Sequence, residues 1–228
     1  MRVTGKNVFN ELKNNKDRIK KVYISATFKD ENIINYIKDN KITYVTVDKN
    51  KFKSMDSGNN QGVILEIEDY NYKNIKDIDT NEKKIVMLDH LEDPHNFGAI
   101  IRTCESAGIK YIIIPKDRSI HITPTVVKTS TGALEYVEIV EVTNLVTAID
   151  YLKSKGYFVY GAEADGTDYR KVNYADKVVL VIGSEGFGMS KLVRNNCDEI
   201  ISIPMKGHVN SLNASVSAGV LIYGIQNW

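Results

Sequence analysis

ISIPMKGHVNSLNASVSAGVLIYG, residues 201–224, decides how the chain is read. A short β-run ends at Ile203-Pro204-Met205, and a polar, Gly-containing turn follows. A helix then opens whose first turns carry Ala214, Ser215, Ser217, Ala218 and Gly219. Small side chains admit another backbone or a flat ligand at close range. An element this dense in glycine, serine and alanine has to pack into the body of the fold.

Upstream, apolar runs recur at 85–88, 111–114, 136–140, 157–160, 178–182 and 200–203, and helical patterns at 97–107, 145–155 and 189–196 separate most of them. Near-continuous apolar strands suit a sheet buried on both faces, and alternation with helices suits parallel pairing. The expectation is an α/β domain with a mostly parallel sheet over residues 85–228. Ligands of such sheets sit beyond the carboxyl ends of the strands. The turns after Leu88, Ile182 and Ile203 are therefore where chemistry is sought.

Residues 1–68 have a different rhythm. Runs at 22–26, 42–47 and 63–67 flank a helical pattern at 30–40, with Ile33, Ile34 and Ile37 at helical spacing. This predicts a small α/β unit of its own. Between the two lies DYNYKNIKDIDTNEKK, residues 69–84, whose only aliphatic side chains are Ile75 and Ile78. So apolar-poor a stretch cannot fold alone and reads as a linker.

The 30 basic and 29 acidic residues nearly cancel, so net charge alone names no partner. Their distribution says more: residues 1–84 hold 17 Lys and Arg against 13 Asp and Glu, the remainder 13 against 16. A basic front fits a polyanion whose phosphates supply salt-sensitive affinity, with Lys13, Lys16, Arg18, Lys20 and Lys21 as candidate contacts. A lysine-rich solvated surface accounts for the same numbers. Cys104 and Cys197 show no CxxC and no ligand-type spacing, so a reducing cytoplasm is expected, without a disulfide framework or a metal. No apolar run approaches the roughly 20 residues of a bilayer span, and MRVTGKNVFNELKNNK lacks the apolar core of a signal peptide.

The first turn, LDHLEDPHNFGAIIRTCESAG (88–108), ends an extended segment at Asp93-Pro94, with Asn96 or a neighbour placed to cap the next helix. Asn96 at its mouth and Arg102 one to two turns in are expected to face one cleft; an ordinary capped helix with a solvated arginine has the same spelling. The second turn, VVLVIGSEGFGMS (178–190), runs a buried strand into Gly183, Ser184, Glu185, Gly186 and Gly188. The order is GxxGxG, not the dinucleotide-binding GxGxxG, and no GxxxxGK[ST] phosphate loop occurs. In the third turn the backbone around Ile203 and Leu212 is placed to line a pocket for a flat purine, with Ser211 and Asn213 as polar contacts. His90, His95, His121 and His208 form no metal or nucleophile pattern and read as surface or loop residues.

NFGAIIRT, IGSEGFGMS and IPMKGHVNSLNASVSAGVLIY together resemble the three signature motifs of the SpoU/TrmH family of RNA 2′-O-ribose methyltransferases, in family order. The resemblance implies a C-terminal trefoil knot, a rare exception among folds, with S-adenosylmethionine bound in it, and a homodimer whose site lies near the subunit interface. GKNVFNEL (5–12) and NQGVILEI (60–67) resemble the ribosomal-protein-like substrate-binding domain of the RlmB-type branch, which acts on a guanosine ribose of large-subunit (23S) ribosomal RNA; Asn60 stands where that branch often has histidine. Carried over position by position, Gly183, Ile203 and Leu212 match main-chain contacts to the cofactor, with Met205 and Glu185 beside them. Asn96, Arg102, Glu185, Ser211 and Asn213 match the catalytic polar set.

The implied reaction needs the ribose oxygen aligned with an activated methyl group, and help for the departing proton. The family's proposal makes the arginine, here Arg102, the base. A guanidinium stays protonated at ordinary pH, so a clamp on a phosphate that also stabilises charge on the oxygen is the better physical role. Other outcomes of the same resemblance are a transfer-RNA enzyme, a resistance-type ribosomal RNA methyltransferase, or a non-catalytic RNA-binding assembly protein of the same fold.

Overall fold

The computed structural model describes residues 1–56, 58, 60–208 and 211–226, and at Asn14 the backbone only. The first unit contains β1 (Arg2–Thr4), α1 (Lys6–Leu12), a 3₁₀ stretch (Lys13–Arg18), β2 (Ile19–Ser25), α2 (Glu31–Asp39), β3 (Tyr44–Val47), α3 (Lys49–Met55) and β4 (Val63–Ile67). Its sheet has the order β1-β4-β2-β3, parallel only between β2 and β3. Helix α2 falls where Ile33 and Ile37 recur on one face, and the Asp30 carboxylate caps it by accepting the Ile33 N–H at 3.4 Å. The seven-residue α1 and α3 gave no clear periodic signal. Each is held by a buried phenylalanine, Phe9 and Phe52.

The second unit contains β5 (Lys84–Asp89), α4 (Pro94–Ser106), β6 (Tyr111–Pro115), α5 (Pro124–Ser130), β7 (Glu138–Val142), α6 (Leu145–Ser154), β8 (Phe158–Asp168), β9 (Val178–Gly183), α7 (Lys191–Asn196), β10 (Glu199–Ser202) and α8 (Ala214–Gly224). Its six strands pair in parallel throughout, in the order β10-β8-β9-β5-β6-β7. Val86, Leu88, Ile112, Ile114, Leu180 and Ile182 share one buried cluster with α4, α5 and α8. Their neighbours Ile85, Met87, Ile113, Val179 and Val181 share another with α6 and α7. Burial on both faces is why these strands read as unbroken apolar runs. Each such side chain contributes about 1.5–3 kcal/mol.

Boundaries move where a cap or a bulge overrides the pattern. Helix α4 begins at Pro94, because the Asp93 carboxylate accepts the His95 N–H at 3.0 Å and proline suits the first turn. Asn96 therefore lies inside the helix and is not its cap. Strand β7 starts at Glu138, after a 3₁₀ turn (Ala133–Glu135) that leaves Tyr136 exposed. Strand β8 continues through the polar EADGTD to Asp168. Its register with β10 jumps from Ile200↔Gly161 to Ile201↔Thr167, so residues 162–166 bulge out of the pairing with β10.

The polar segment after β4 is fastened to the second unit. The Tyr70 hydroxyl accepts the Ile139 N–H at 3.0 Å and donates to the Val137 carbonyl, the Tyr72 hydroxyl accepts the Ile122 N–H at 2.7 Å, and Lys73 pairs beside Val140 at the sheet edge. Burial pushes the Tyr70 phenol up to about 12. The tyrosine hydroxyls here take backbone hydrogen bonds that a neighbouring strand's carbonyls would otherwise accept.

Candidate active site

The second and third sequence turns, with Asn96 of the first turn beside them, meet at the carboxyl ends of β9, β8 and β10 around a cavity of about 430 Å³. Gly183, Glu185, Ile203, Met205, Ser211, Leu212 and Asn213 all line it. Val209 and Asn210, within the third motif, lie outside the described residues. Gly183 is required by close approach: a β-carbon there would fall 2.2 Å from the Gly188 carbonyl carbon. The loop behind it is a tight turn, with Ser184 and Gly188 exchanging backbone hydrogen bonds of 3.0 Å.

Beside the cavity, one residue from each turn enters a single hydrogen-bonded cluster. Asn96 Nδ2 donates to Glu185 Oε1 at 2.7 Å, and Asn213 Nδ2 donates to the same oxygen at 2.6 Å and to Asn96 Oδ1 at 3.0 Å. The Ala214 N–H also reaches Glu185 Oε1, at 3.2 Å. Asn213 meanwhile caps α8, its Oδ1 accepting the N–H groups of Ser215 and Val216 at 3.0 and 3.3 Å. Asn96 is buried at 5% exposure, so its amide is fixed while the Glu185 side chain remains open to solvent.

Arg102 does not join them. It projects from α4 into solvent, outside the cavity, and among the described residues it makes no ion pair. The expectation of one shared cleft with Asn96 is corrected by helix geometry: six residues at about 100° each leave the two side chains about 120° apart. Of the five basic residues proposed for phosphate, Arg18 is also reassigned. It pairs with Glu135 of the second unit, with only 16% of its side chain exposed. Lys16 and Lys20 remain exposed, Lys13 lies over the rings of Phe9 and Tyr36, and Lys21 over Tyr23.

The bulge at 162–166 supplies what the sequence reading missed. Ala162, Glu163 and Ala164 line the cavity, and Glu163 Oε1 accepts the Met189 N–H at 2.8 Å, bracing the glycine loop. Gly161 and Gly166, within the polar run after Tyr160, are the sequence signal for the bulge. A second cavity, of about 930 Å³, shares Ser184, Glu185 and Gly188 with the first. His90 lines it, its Nδ1 paired with the fully buried Asp89 carboxylate, which also accepts the Ser190 N–H. No helix in the described residues is long and apolar enough to cross a membrane, and no group of three or more metal-type side chains occurs among them.

Residues 83–223 match the SpoU rRNA Methylase family, and residues 2–73 match the family described as RNA 2′-O ribose methyltransferase substrate binding. The chain belongs to the SpoU/TrmH family of RNA methyltransferases. A relative from Staphylococcus haemolyticus, assigned by name to the TrmH family of tRNA/rRNA methyltransferases, is 42% identical over 98% of this chain and 94% of its own length. One from Staphylococcus aureus with the same name is 44% identical over 91% and 88%. The fold of AviRb, a SpoU methyltransferase from Streptomyces viridochromogenes solved with AdoMet, superposes with a TM-score of 0.86 over 99% of this chain and 88% of that one, at 21% identity. A TrmH/SpoU tRNA modifying enzyme from A. aeolicus is 31% identical and matches 63% of this chain and 74% of its own, with a TM-score of 0.57. That shorter overlap contrasts with the two-unit superposition on AviRb.

Proposed function

We propose that this SpoU/TrmH protein transfers the methyl group of S-adenosylmethionine to a ribose 2′-hydroxyl in ribosomal RNA, at a guanosine of the large-subunit (23S) molecule, and that it acts as a cytoplasmic homodimer. The observation that carries the reading is the Asn96–Glu185–Asn213 cluster, which joins one residue of each motif at the edge of the cavity. The lining suits this cofactor: Ile203, Leu212 and Leu221 offer apolar walls to a purine, and Glu163 and Glu185 are its charged side chains among the described residues. Bound there, S-adenosylmethionine supplies an electrophilic methyl group on a cationic sulfur. The resemblance implies a trefoil knot in this C-terminal half, whose last helix is α8.

The chain's own residues then position and assist. Asn96 and Asn213 fix one oxygen of Glu185 and leave the rest of its carboxylate free to orient the ribose hydroxyl and receive its proton. Ser211 lies at the cavity wall to hold the sugar. Arg102 reaches the cavity of the other subunit in the homodimer, where it clamps a phosphate and stabilises charge on the attacked oxygen. Its exposed place outside its own cavity supports that arrangement. The separate N-terminal unit favours a folded ribosomal target over a minimal transfer-RNA substrate.

The test is incubation of unmodified ribosomal and transfer RNA with labelled S-adenosylmethionine, followed by mapping of the labelled ribose. Label on a large-subunit guanosine 2′-oxygen is expected. Label confined to transfer RNA would overturn the target, and cofactor binding without transfer to either RNA would overturn the enzyme reading.

A further inference from the structure

Phe187 stands at the tip of the glycine turn, 94% exposed. Its neighbours Gly186 (φ 86°) and Gly188 (φ 67°) are both left-handed, and the Ser184–Gly188 hydrogen bonds close the turn beneath it. The turn thus presents an apolar ring to solvent at the point where two hollows meet. On one side lies the cavity of about 930 Å³, and on the other a hollow of about 450 Å³ that contains Lys191; Phe187 lines both.

The larger cavity borders the cofactor cavity, because Ser184, Glu185 and Gly188 belong to both. A ribose whose hydroxyl is oriented by Glu185 therefore has the methyl donor on one side and this second space on the other. The base of that nucleotide, once out of its stack, needs a pocket, and the volume lies in the range of roughly 300–1,000 Å³ usual for small-ligand sites.

The lining selects among occupants. Glu92, Asp117 and Arg118 are exposed on this wall, and their side chains make no hydrogen bond or ion pair among the described residues. With Asp93 and Glu185 there as well, carboxylates outnumber the guanidinium and disfavour a phosphate. They favour a base edge rich in N–H groups. Guanine presents two adjacent donors, N1–H and the 2-amino group, which a carboxylate accepts together, while its O6 and N7 suit an arginine. Adenine and the pyrimidines have no such pair of donors on that edge. His90 adds a fixed acceptor. Its backbone is left-handed (φ 56°), an uncommon setting for a non-glycine residue. Its Nδ1 pairs with the fully buried Asp89 carboxylate, which also accepts the Ser190 N–H at 2.6 Å. With Nδ1 donating, a neutral imidazole keeps Nε2 as an acceptor.

We propose that this cavity is the base-recognition subsite. It takes the guanine of the nucleotide being methylated, with Phe187 stacked on the ring, Glu92 or Asp117 on the donor edge, Arg118 on the acceptor edge and His90 as a further acceptor. Across the ring, the exposed Lys191 meets the adjoining phosphate. The inference rests on the methyl-transfer reading and adds to it where the base goes and what selects it.

Two measurements on the full-length protein test it. In Phe187→Trp combined with Trp228→Phe, the indole at position 187 is the sole tryptophan. With S-adenosylmethionine saturating, its fluorescence should be quenched by a uridine RNA hexamer with one internal guanosine, and about tenfold more hexauridine should be needed for the same quenching. Adding Glu92→Gln and Asp117→Asn should remove that preference while quenching persists. In steady-state methyl transfer, Phe187→Ala should lower kcat/KM for RNA by about five- to a hundredfold, the range for one lost base stack, with S-adenosylmethionine affinity unchanged. Phe187→Tyr should recover most of that loss and Phe187→Leu little. No quenching by either hexamer, or wild-type kcat/KM in Phe187→Ala, would overturn the subsite, and equal quenching by both hexamers would overturn the assignment of guanine. If the wild type binds cofactor but methylates no RNA, the functional reading fails, and the fluorescence still decides whether a base stacks on this ring.

Discussion

Asn213 does two things with one amide, and two substitutions separate them. Its oxygen caps α8 through the Ser215 and Val216 N–H groups, and its nitrogen donates to Glu185 and to the buried Asn96. Serine keeps a side-chain oxygen suited to the cap but cannot also supply the two donations; alanine keeps neither. Both variants strand the Asn96 carbonyl oxygen, at about 1–3 kcal/mol for a buried unsatisfied group. Only alanine also loses the cap, worth about 1 kcal/mol. For a chain of this size that difference is about 2–4 °C in melting temperature. Asn213→Ala should therefore melt lower than Asn213→Ser by that amount in a thermal scan. In a labelled-methyl assay the two should be equally impaired, by about a hundredfold, because the same loss of Glu185 positioning affects both. Near-normal turnover in Asn213→Ser would refute the claim that this donation organises the site, and equal melting temperatures would refute the capping role.

Gly183→Ala should abolish measurable cofactor binding by calorimetry and destabilise the fold by about 1–3 kcal/mol, since the new β-carbon meets backbone with no route of escape. Glu135→Ala leaves the Arg18 guanidinium largely buried and unpaired. It should cost about 2–3 kcal/mol and raise hydrogen exchange in α1 and the adjoining 3₁₀ stretch, while the 178–190 loop stays protected. Tyr70→Phe removes the acceptor for the Ile139 N–H and should lower stability by about 1–2 kcal/mol in denaturant unfolding, with cofactor affinity unchanged.

The parallel sheet and the cavity were legible because their signals are local and redundant. Six apolar runs can hardly be accommodated except in a sheet covered on both faces, and the turns after β9 and β10 carry their cavity-lining residues close together in sequence. The bulge at 162–166 was not legible: its polar residues follow β-strand geometry only because β10 slips register beside them. Nor was the contact between the two units, since nothing near Arg18 indicates that its partner stands 117 positions away at Glu135. Arg102 shows the limit most clearly. Its motif is plain, but helix phase turns its side chain away from the cavity that the other motifs line.

Charge accounts for that incompleteness. The described lining of the smaller cavity has Glu163 and Glu185 and no lysine or arginine. Such a wall favours a cationic sulfonium donor and disfavours a phosphate, each acid repelling it by about 1 kcal/mol at 4 Å even in water. A methyltransferase for a polyanion built this way has to bring cations from outside the cavity. Such cations stand on the lysine-bearing first unit and at Arg102 on α4, and the Arg18–Glu135 pair fixes the first unit to the second. Binding the donor and gripping the RNA are thereby assigned to surfaces of opposite sign. On the proposed reading, one chain's cavity holds the donor, while the grip on RNA calls on both units and on the arginine of a second copy.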